Sequence, residues 1–320
     1  MQFSLVFISI LAGFYFKCCE HFTDTLWRDS QIFGRRCAAV AGAHKPNAGG
    51  SQLLTLIAQG FVQGITEFLP VSSSGHLTLM QHFFNFDDPD ANLLTTVALH
   101  FGTLLAVIYY FRADLLPYLT PSGWRDAARR KIATLVVIGS IPTAIIGLTF
   151  KKQFEAMFGN PTAVCIALFV TGILLLTCEK LKKSDNQQSI ESAPLWKALT
   201  VGFVQGLAIT PGISRSGSTI AASLLLGIKG EDAAKLSFLL MIPAVSGATL
   251  LEVKKLAEAG LPASINYGAL AAGTLVATAT GFLALNLLVY MIKKQKLSYF
   301  AYYLFTVSVI SLVLIQFAGK

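Results

Sequence analysis

Six long apolar runs, each bounded by charged residues, restrict the fold of this chain more than any other feature. They cover residues 93–111, 132–150, 162–178, 236–251, 267–290 and 298–317. A helix that spans a bilayer needs about 20 mainly apolar residues, and the shorter runs reach that length by extending into their flanks. The sequence therefore predicts an all-α integral membrane protein with six spanning helices.

The composition agrees with a membrane fold and excludes several soluble classes. Only 13% of the 320 residues are charged and 54% are hydrophobic, whereas about a quarter of the residues of a soluble domain are charged. Too few charges remain to coat a water-soluble globule of this size or to form a basic face for nucleic acid. The net charge of +8 fits Lys and Arg that collect in cytoplasmic loops.

Residues 1–50 are interpreted as an N-terminal extension of unknown role, and residues 51–320 as one membrane domain. The apolar run at 3–16 is shorter than a spanning helix and lacks the basic start of a signal peptide. The five cysteines form no CxxC pair. The sequence thus predicts neither a disulfide framework nor a zinc site.

Two further apolar segments, 51–86 and 195–228, are interrupted by Pro, Gly and Ser. A continuous lipid-facing helix does not tolerate such breaks, because the freed backbone groups find no water in the hydrocarbon region. The two segments predict re-entrant hairpins of half-helices, whose centres are buried in protein or line a wet cavity.

The two broken segments are copies of each other. GFVQGITEFLPVSSSGH at 60–76 aligns without gaps with GFVQGLAITPGISRSGS at 202–218, and eight of 17 positions are identical. We interpret the chain as repeat one, 51–178, followed by repeat two, 195–317. Three spans follow each hairpin, and because three is odd the second copy is inverted in the membrane. This predicts an inverted-topology repeat whose hairpins meet near the bilayer midplane.

Loop charges predict the orientation of the repeat. The loops at 112–131, 179–197, 229–235 and 291–297 carry fourteen Lys and Arg, and the loops on the other side together with the C-terminus carry five. The basic side is expected to face the cytoplasm. The first hairpin then enters from outside and the second from the cytoplasm.

Both hairpins carry ionisable and hydroxyl side chains at membrane depth, where such groups are costly and usually functional. The candidate catalytic residues are Glu67, Ser73, His76 and Arg215. The candidate substrate-binding residues are Gln63, Ser72, Ser74, Gly75, Ser214, Ser216, Gly217 and Thr219.

The candidate catalytic side chains suit the chemistry of a phosphate. Arg215 offers a planar fork of donors, and a half-helix expected to begin near Ser216 would aim free N–H groups at the same anion. His76 lies three residues after Ser73, so the pair can activate a hydroxyl, or His76 alone can shuttle protons. Glu67 can orient His76, act as a base or help to hold a divalent cation. Purely structural roles for these groups stay open.

These residues resemble the two signature segments of the bacterial undecaprenyl-diphosphate phosphatases, the bacitracin-resistance family. The likeness is carried by 60–80 and 205–219, with further similarity at 99–115 and 235–244. It implies an enzyme that hydrolyses undecaprenyl diphosphate to undecaprenyl phosphate and inorganic phosphate. That reaction recycles the carrier lipid for cell-wall polymers and gives bacitracin resistance. The resemblance also implies a multi-pass protein of the bacterial inner membrane, with an active site open to the periplasm or exterior.

The resemblance further implies residue roles and a cofactor. It places Ser73 and His76 in catalytic positions, without deciding which one attacks, and makes Arg215 the phosphate clamp. It implies that a divalent cation, Mg²⁺ or Ca²⁺, supports activity, with Glu67 as a ligand. Gln63 stands where many members have Glu, and an amide binds a cation less strongly than a carboxylate does. The expected partners are a polyprenyl diphosphate lipid and the bilayer, with no nucleic acid, and homodimer formation is left open.

A lipid-phosphate transporter and a channel or structural membrane protein are the alternatives. Inverted repeats with broken hairpins also build transporters, and a flippase would use the same anion pocket. Anion transport needs Arg215, but it needs neither a nucleophile nor a proton carrier such as Ser73 and His76. The clustered ionisable residues argue against the channel.

Overall fold

The computed structural model describes residues 48–84, 89–181, 187–260, 264–293 and 296–318. The chain divides into two compact units, Met1–Gly50 and Ser51–Lys320. Of the first unit only residues 48–50 are described, so the predicted extension and its apolar run at 3–16 lie outside the described residues. All other described residues belong to the second unit.

The described part of the chain is helical and contains no β-strand. Its α-helices are α1 (Ala48–Phe68), α2 (Ser73–Phe83), α3 (Pro89–Tyr110), α4 (Arg112–Leu115), α5 (Ala127–Thr149), α6 (Lys151–Phe158), α7 (Pro161–Leu181), α8 (Leu195–Leu207), α9 (Arg215–Leu225), α10 (Gly230–Ala259), α11 (Tyr267–Lys293) and α12 (Ser298–Ala318). Short 3-10 helices lie at Leu116–Leu119, Gly123–Arg125 and Ile190–Ser192. The predicted all-α class is confirmed for these residues.

Six of these helices are long and apolar enough to cross a bilayer. The qualifying segments are Ala91–Tyr110, Ala127–Thr149, Pro161–Leu181, Gly230–Glu258, Tyr267–Ile292 and Ser298–Phe317. Each overlaps one of the six predicted runs, in the same order. The number of spanning helices predicted from the sequence is therefore confirmed within the described ranges.

The largest differences from the predicted bounds are in α10, which runs from Gly230 to Ala259 instead of from 236 to 251. Glu231 and Asp232 lie in its first turn, where carboxylates are favoured by the positive end of the helix dipole. Polar residues thus extend this helix beyond the apolar run that predicted it.

The two interrupted segments fold as helix pairs separated by short breaks. Residues 69–72 separate α1 from α2, and residues 208–214 separate α8 from α9. The second break contains Gly212, whose φ of 92° lies in the left-handed region that glycine adopts without strain. The first helix of each pair, α1 or α8, therefore ends where the sequence predicted an interruption.

The second helix of each pair is capped in the same way. The Ser72 hydroxyl accepts a hydrogen bond from the Gly75 N–H at 3.3 Å. The Ser214 hydroxyl accepts one from the Gly217 N–H at 3.0 Å. A serine side chain at this position satisfies an N–H group that the helix itself leaves unpaired.

Glycines let the first helix of each pair approach a spanning helix closely. A side chain on Gly60 of α1 would collide with the backbone oxygen of Gly273 in α11. A side chain on Gly202 of α8 would collide with the backbone oxygen of Gly139 in α5. Such contacts between small residues hold helices together in membranes, where burial of apolar area drives little association.

Candidate active site

The two breaks lie against each other, and this brings the first turns of α2 and α9 together. The Ser216 hydroxyl donates to the Leu69 carbonyl at 3.0 Å, and the Gly212 N–H donates to the Ser74 hydroxyl at 3.5 Å. A Cβ on Gly75 would lie 3.1 Å from the Cα of Gly212. The two helix pairs therefore meet at the breaks between their helices.

Glu67, at the end of α1, is the centre of a buried polar cluster at this junction. Its Oε1 accepts from Nη2 of Arg215 at 2.5 Å. Its Oε2 accepts from the Ser73 hydroxyl and from Nε2 of Gln63 at 3.1 Å. A buried carboxylate needs such partners to offset the loss of water. Two of the other predicted catalytic side chains, Ser73 and Arg215, thus contact Glu67.

Two buried polar atoms of this cluster have no hydrogen-bond partner among the described residues. They are Nη1 of Arg215 and Oε1 of Gln63. A buried guanidinium N–H without an acceptor is costly. A phosphate oxygen is an acceptor that would satisfy it. The cluster is therefore arranged to receive an anion.

Two helices begin at the cluster. Ser73 is the first residue of α2 and Arg215 the first residue of α9, and each helix has 11 residues. The half-helix predicted to begin near Ser216 thus begins one residue earlier. The free N–H groups and the positive dipole end of a helix N-terminus attract anions, so both helices add to the field of Arg215.

His76 is buried in α2, but its ring is bonded away from the cluster. Nδ1 lies 2.8 Å from the carbonyl oxygen of Ser72, and Nε2 lies 2.8 Å from the hydroxyl of Tyr303. Because a carbonyl oxygen can only accept, we assign the proton to Nδ1, and Tyr303 then donates to Nε2. The structure therefore does not join His76 to the Ser73 hydroxyl. A catalytic role for His76 stays a prediction.

Several predicted substrate-binding hydroxyls have partners within the protein. Thr219 donates to the carbonyl of Arg215 at 2.8 Å. The serines that cap helices or join the hairpins are Ser72, Ser214 and Ser216. Ser74 is partly buried and lies 3.3 Å from the Ser72 hydroxyl. These contacts position the two breaks, and a role in substrate binding stays a prediction for these residues and for the close-packed Gly75 and Gly217.

Three side chains that the sequence analysis missed belong to the same network. Nε2 of His100 in α3 lies 3.7 Å from Oε2 of Glu67, Thr103 accepts from Gln63 at 3.5 Å, and Tyr303 holds His76. His100 is an ionisable residue inside an apolar run, so the criterion that identified Glu67 could have found it. Tyr303 gave no such signal, because tyrosine is common in membrane proteins.

A resident divalent cation with Glu67 as a ligand stays a prediction for the described residues. They contain no group of three or more His, Cys, Asp and Glu side chains that could hold one. The carboxylate oxygens of Glu67, the predicted ligand, already accept from Arg215, Ser73 and Gln63. A cation on Glu67 would also repel the guanidinium 2.5 Å away.

Comparison with known proteins covers most of the chain. A family described as "Bacitracin resistance protein BacA" matches residues 56–310. A protein named undecaprenyl-diphosphatase from Alkaliphilus metalliredigens is 44% identical over 260 residues, which are 78% of this chain and 93% of the relative. One of the same name from Halothermothrix orenii is 39% identical over 263 residues, 82% of this chain and 98% of the relative. A match of this extent confirms the resemblance drawn from the two hairpin motifs, and the chain belongs to the bacitracin resistance protein BacA family.

Proposed function

We propose that this chain is a membrane enzyme that hydrolyses undecaprenyl diphosphate to undecaprenyl phosphate and inorganic phosphate. The observation that carries the proposal is the Glu67–Ser73–Arg215 cluster, a hydroxyl on a carboxylate beside a guanidinium with one unpaired N–H group. The name of the BacA relatives, undecaprenyl-diphosphatase, gives the substrate and the reaction. The product is the carrier lipid of cell-wall synthesis, and its regeneration accounts for resistance to bacitracin.

Arg215 is the proposed phosphate clamp. Glu67 holds Nη2, which leaves Nη1 to donate to an oxygen of the terminal phosphate. The guanidinium is planar, so fixing one nitrogen also fixes the direction of the other. The clamp is therefore oriented before the substrate arrives, and the first turns of α2 and α9 add N–H groups beside it.

Ser73 is the proposed nucleophile. Its hydroxyl donates to Glu67, so the carboxylate is in place to accept the proton as Oγ attacks the terminal phosphorus. The bond from that phosphorus to the bridging oxygen breaks, and undecaprenyl phosphate leaves with the bonding electrons. Water then attacks the phosphoserine, gives its hydroxide to phosphorus and a proton to Ser73, and releases inorganic phosphate.

A divalent cation enters this proposal as a partner of the substrate. The diphosphate oxygens are themselves ligands that Mg²⁺ prefers, whereas Glu67 is already paired with Arg215. We expect a chelator to lower phosphate release, and the Mg²⁺ concentration that restores it to rise with the lipid concentration. Mg²⁺ binding to lipid-free protein that is lost in Glu67→Gln would contradict this.

We propose further that α1–α2 and α8–α9 are re-entrant hairpins of an inverted-topology repeat. The support is that corresponding glycines pack against corresponding positions of α11 and α5. These contacts are Gly60 with Gly273, Gly64 with Thr280, Gly202 with Gly139 and Gly206 with Ile146. The two contacts lie four residues apart on α1 and on α8, and seven residues apart on α11 and on α5, so the two pairs of helices repeat the same spacing, as a duplication requires.

The proposed orientation places the loop at 112–131 in the cytoplasm and the loop at 151–161 outside a bacterial inner membrane, with the site open to the exterior. Its test is labelling of spheroplasts with a membrane-impermeant maleimide. The exposed Gln153 and Ser122 are each replaced by Cys in a chain lacking Cys18, Cys19 and Cys37. Labelling at 153 and not at 122 is expected, and the reverse would overturn the orientation.

Homodimer formation and the lack of a nucleic-acid partner stay predictions.

The test of hydrolysis is phosphate release from undecaprenyl diphosphate by purified protein in detergent. We expect Ser73→Ala and Arg215→Ala to lower the rate by about 10³-fold, equivalent to about 4 kcal/mol of barrier. The exposed Ser122 and Arg125 supply matched alanine controls that keep full activity. A folded wild-type chain that releases no phosphate in detergent, where a lipid transporter has no leaflets to move lipid between, would favour the transporter and overturn the proposal.

A further inference from the structure

We infer that His100 is the proton carrier of this site, an inference that rests on the proposed hydrolysis. Its Nε2 lies 3.7 Å from Oε2 of Glu67. The same oxygen accepts the hydrogen bond of the Ser73 hydroxyl. The imidazole beside the carboxylate oxygen that accepts from Ser73 is therefore contributed by α3, outside both hairpin motifs.

The hydrogen bonds of the ring determine which nitrogen faces Glu67. Nδ1 lies 2.8 Å from the carbonyl oxygen of Thr96, which can only accept, so Nδ1 carries a hydrogen. In the neutral ring Nε2 is then an unprotonated acceptor opposite a carboxylate oxygen. A lone pair facing a carboxylate leaves an open position for one proton between His100 and Glu67.

The proposed reaction supplies that proton. A fully ionised diphosphate and water yield two phosphate dianions and one proton, which has to leave the site. Glu67 is a poor final acceptor, because its oxygens already accept from Arg215, Ser73 and Gln63 and because the guanidinium favours a charged carboxylate. Transfer from Ser73 to Glu67 and then to Nε2 restores the ion pair with Arg215. Imidazole is the side chain that both takes and gives a proton near neutral pH.

The distance and exposure of His100 suit a carrier. A separation of 3.7 Å exceeds a direct hydrogen bond by roughly 0.5–1 Å, so a small approach or one bridging water completes the path. The side chain of His100 is 23% exposed, against 7% for Glu67. His76 is buried, and both of its ring nitrogens are bonded to other groups.

Hydrogen bonds through Thr103 and Gln63 also hold His100 in place beside Glu67. Thr103 donates to the carbonyl of His100 at 2.9 Å and accepts from Nε2 of Gln63 at 3.5 Å. The same Gln63 nitrogen donates to Glu67. The helix segment that carries the imidazole is thus tied to the carboxylate it serves.

The test is His100→Gln in the purified full chain, with the exposed His82→Gln as the matched control. Loss of a general acid–base group costs about 10²–10⁴-fold in rate. We expect kcat to fall by about 10²-fold or more, with KM changed less than about threefold and thermal stability unchanged. We also expect added imidazole to restore part of the lost rate to His100→Ala, an effect that a structural role would not produce.

The outcomes separate this inference from the proposed function. An active wild-type chain with a His100→Gln variant of nearly equal kcat would overturn the carrier alone, as would a rise in KM with unchanged kcat. A wild-type chain that releases no phosphate would instead overturn the proposed function. If His100→Gln is less stable than the wild type, the imidazole experiment on His100→Ala decides whether His100 carries the proton. Failure of added imidazole to restore activity to folded His100→Ala would overturn this role.

Discussion

At the scale of single residues, the cluster depends on a carboxylate whose partners come from several helices. Glu67 of α1 accepts from Ser73 of α2 and from Arg215 of α9, and His100 of α3 lies beside it. Each partner alone is an ordinary side chain. Together they place a hydroxyl, a guanidinium and an imidazole around one buried charge, and removal of that charge affects all three.

We predict that Glu67→Gln lowers phosphate release by about 10³-fold and destabilises the protein by about 3–5 kcal/mol. The loss of activity follows from the missing proton acceptor for Ser73. The loss of stability follows because Arg215 becomes a buried charge without a counter-ion. Rate assays and thermal unfolding measure the two effects. Glu258→Gln, whose side chain is 69% exposed, is the control, and near-normal activity of Glu67→Gln would contradict the proposed base.

We predict that Tyr303→Phe changes stability more than catalysis. The variant removes the donor to Nε2 of His76, and a buried acceptor left unpaired costs about 1–3 kcal/mol. We expect a lower unfolding temperature with kcat within about threefold of wild type, since His76 is not bonded to Ser73 in the structure. The exposed Tyr302→Phe is the control. A large fall in kcat at unchanged stability would instead support the predicted catalytic role of His76.

Residue types could be predicted from the sequence, but their pairing could not. The cost of a charge at membrane depth identified Glu67 and Arg215. These two residues are 148 positions apart in the sequence, and they meet only because the two breaks pack together. His76 was predicted beside Ser73 because the two are close in sequence. In the folded chain its ring instead meets Tyr303, 227 positions away, and such a contact leaves no local pattern in the sequence.

At the scale of helices, glycine contacts position the half-helices that carry the site. We predict that Gly60→Ala and Gly202→Ala each destabilise the protein by about 1–3 kcal/mol, because the added methyl group meets the backbone of Gly273 or Gly139. Gly247→Ala in α10 is the control, since a Cβ there meets nothing within 4 Å, and alanine favours a helix by about 0.5–1 kcal/mol. Thermal unfolding in detergent measures all three variants. Equal stability at the three positions would contradict the proposed packing.

Helices could be predicted from apolar runs, but several of their ends could not. Hydropathy reports which residues tolerate lipid, whereas a helix end depends on hydrogen bonds. Asp126 illustrates the difference, because its carboxylate accepts from the Ala128 N–H at 2.9 Å. This cap starts α5 at Ala127, ahead of the predicted run at 132–150.

At the scale of the whole molecule, the two similar helix pairs carry different side chains at the same aligned position. Ser73 and Arg215 occupy corresponding positions in the aligned segments, and each is the first residue of the half-helix after a break. An inverted repeat that brings the breaks together also brings these positions together. In the proposed enzyme, one copy has kept a nucleophile there and the other has a clamp for the phosphate.

We predict that this complementary pair acts within one chain. Nη2 of Arg215 and Oε1 of Glu67 are 2.5 Å apart in a single copy, so each chain contains a complete cluster. Co-expression of Ser73→Ala with Arg215→Ala should therefore give no more phosphate release than either variant alone. Wild type co-expressed with Arg215→Ala is the control and keeps activity in proportion to its wild-type share. Recovered activity in the mixture of the two inactive variants would mean that two copies exchange hairpins, and that the site belongs to an assembly instead of to one folded chain.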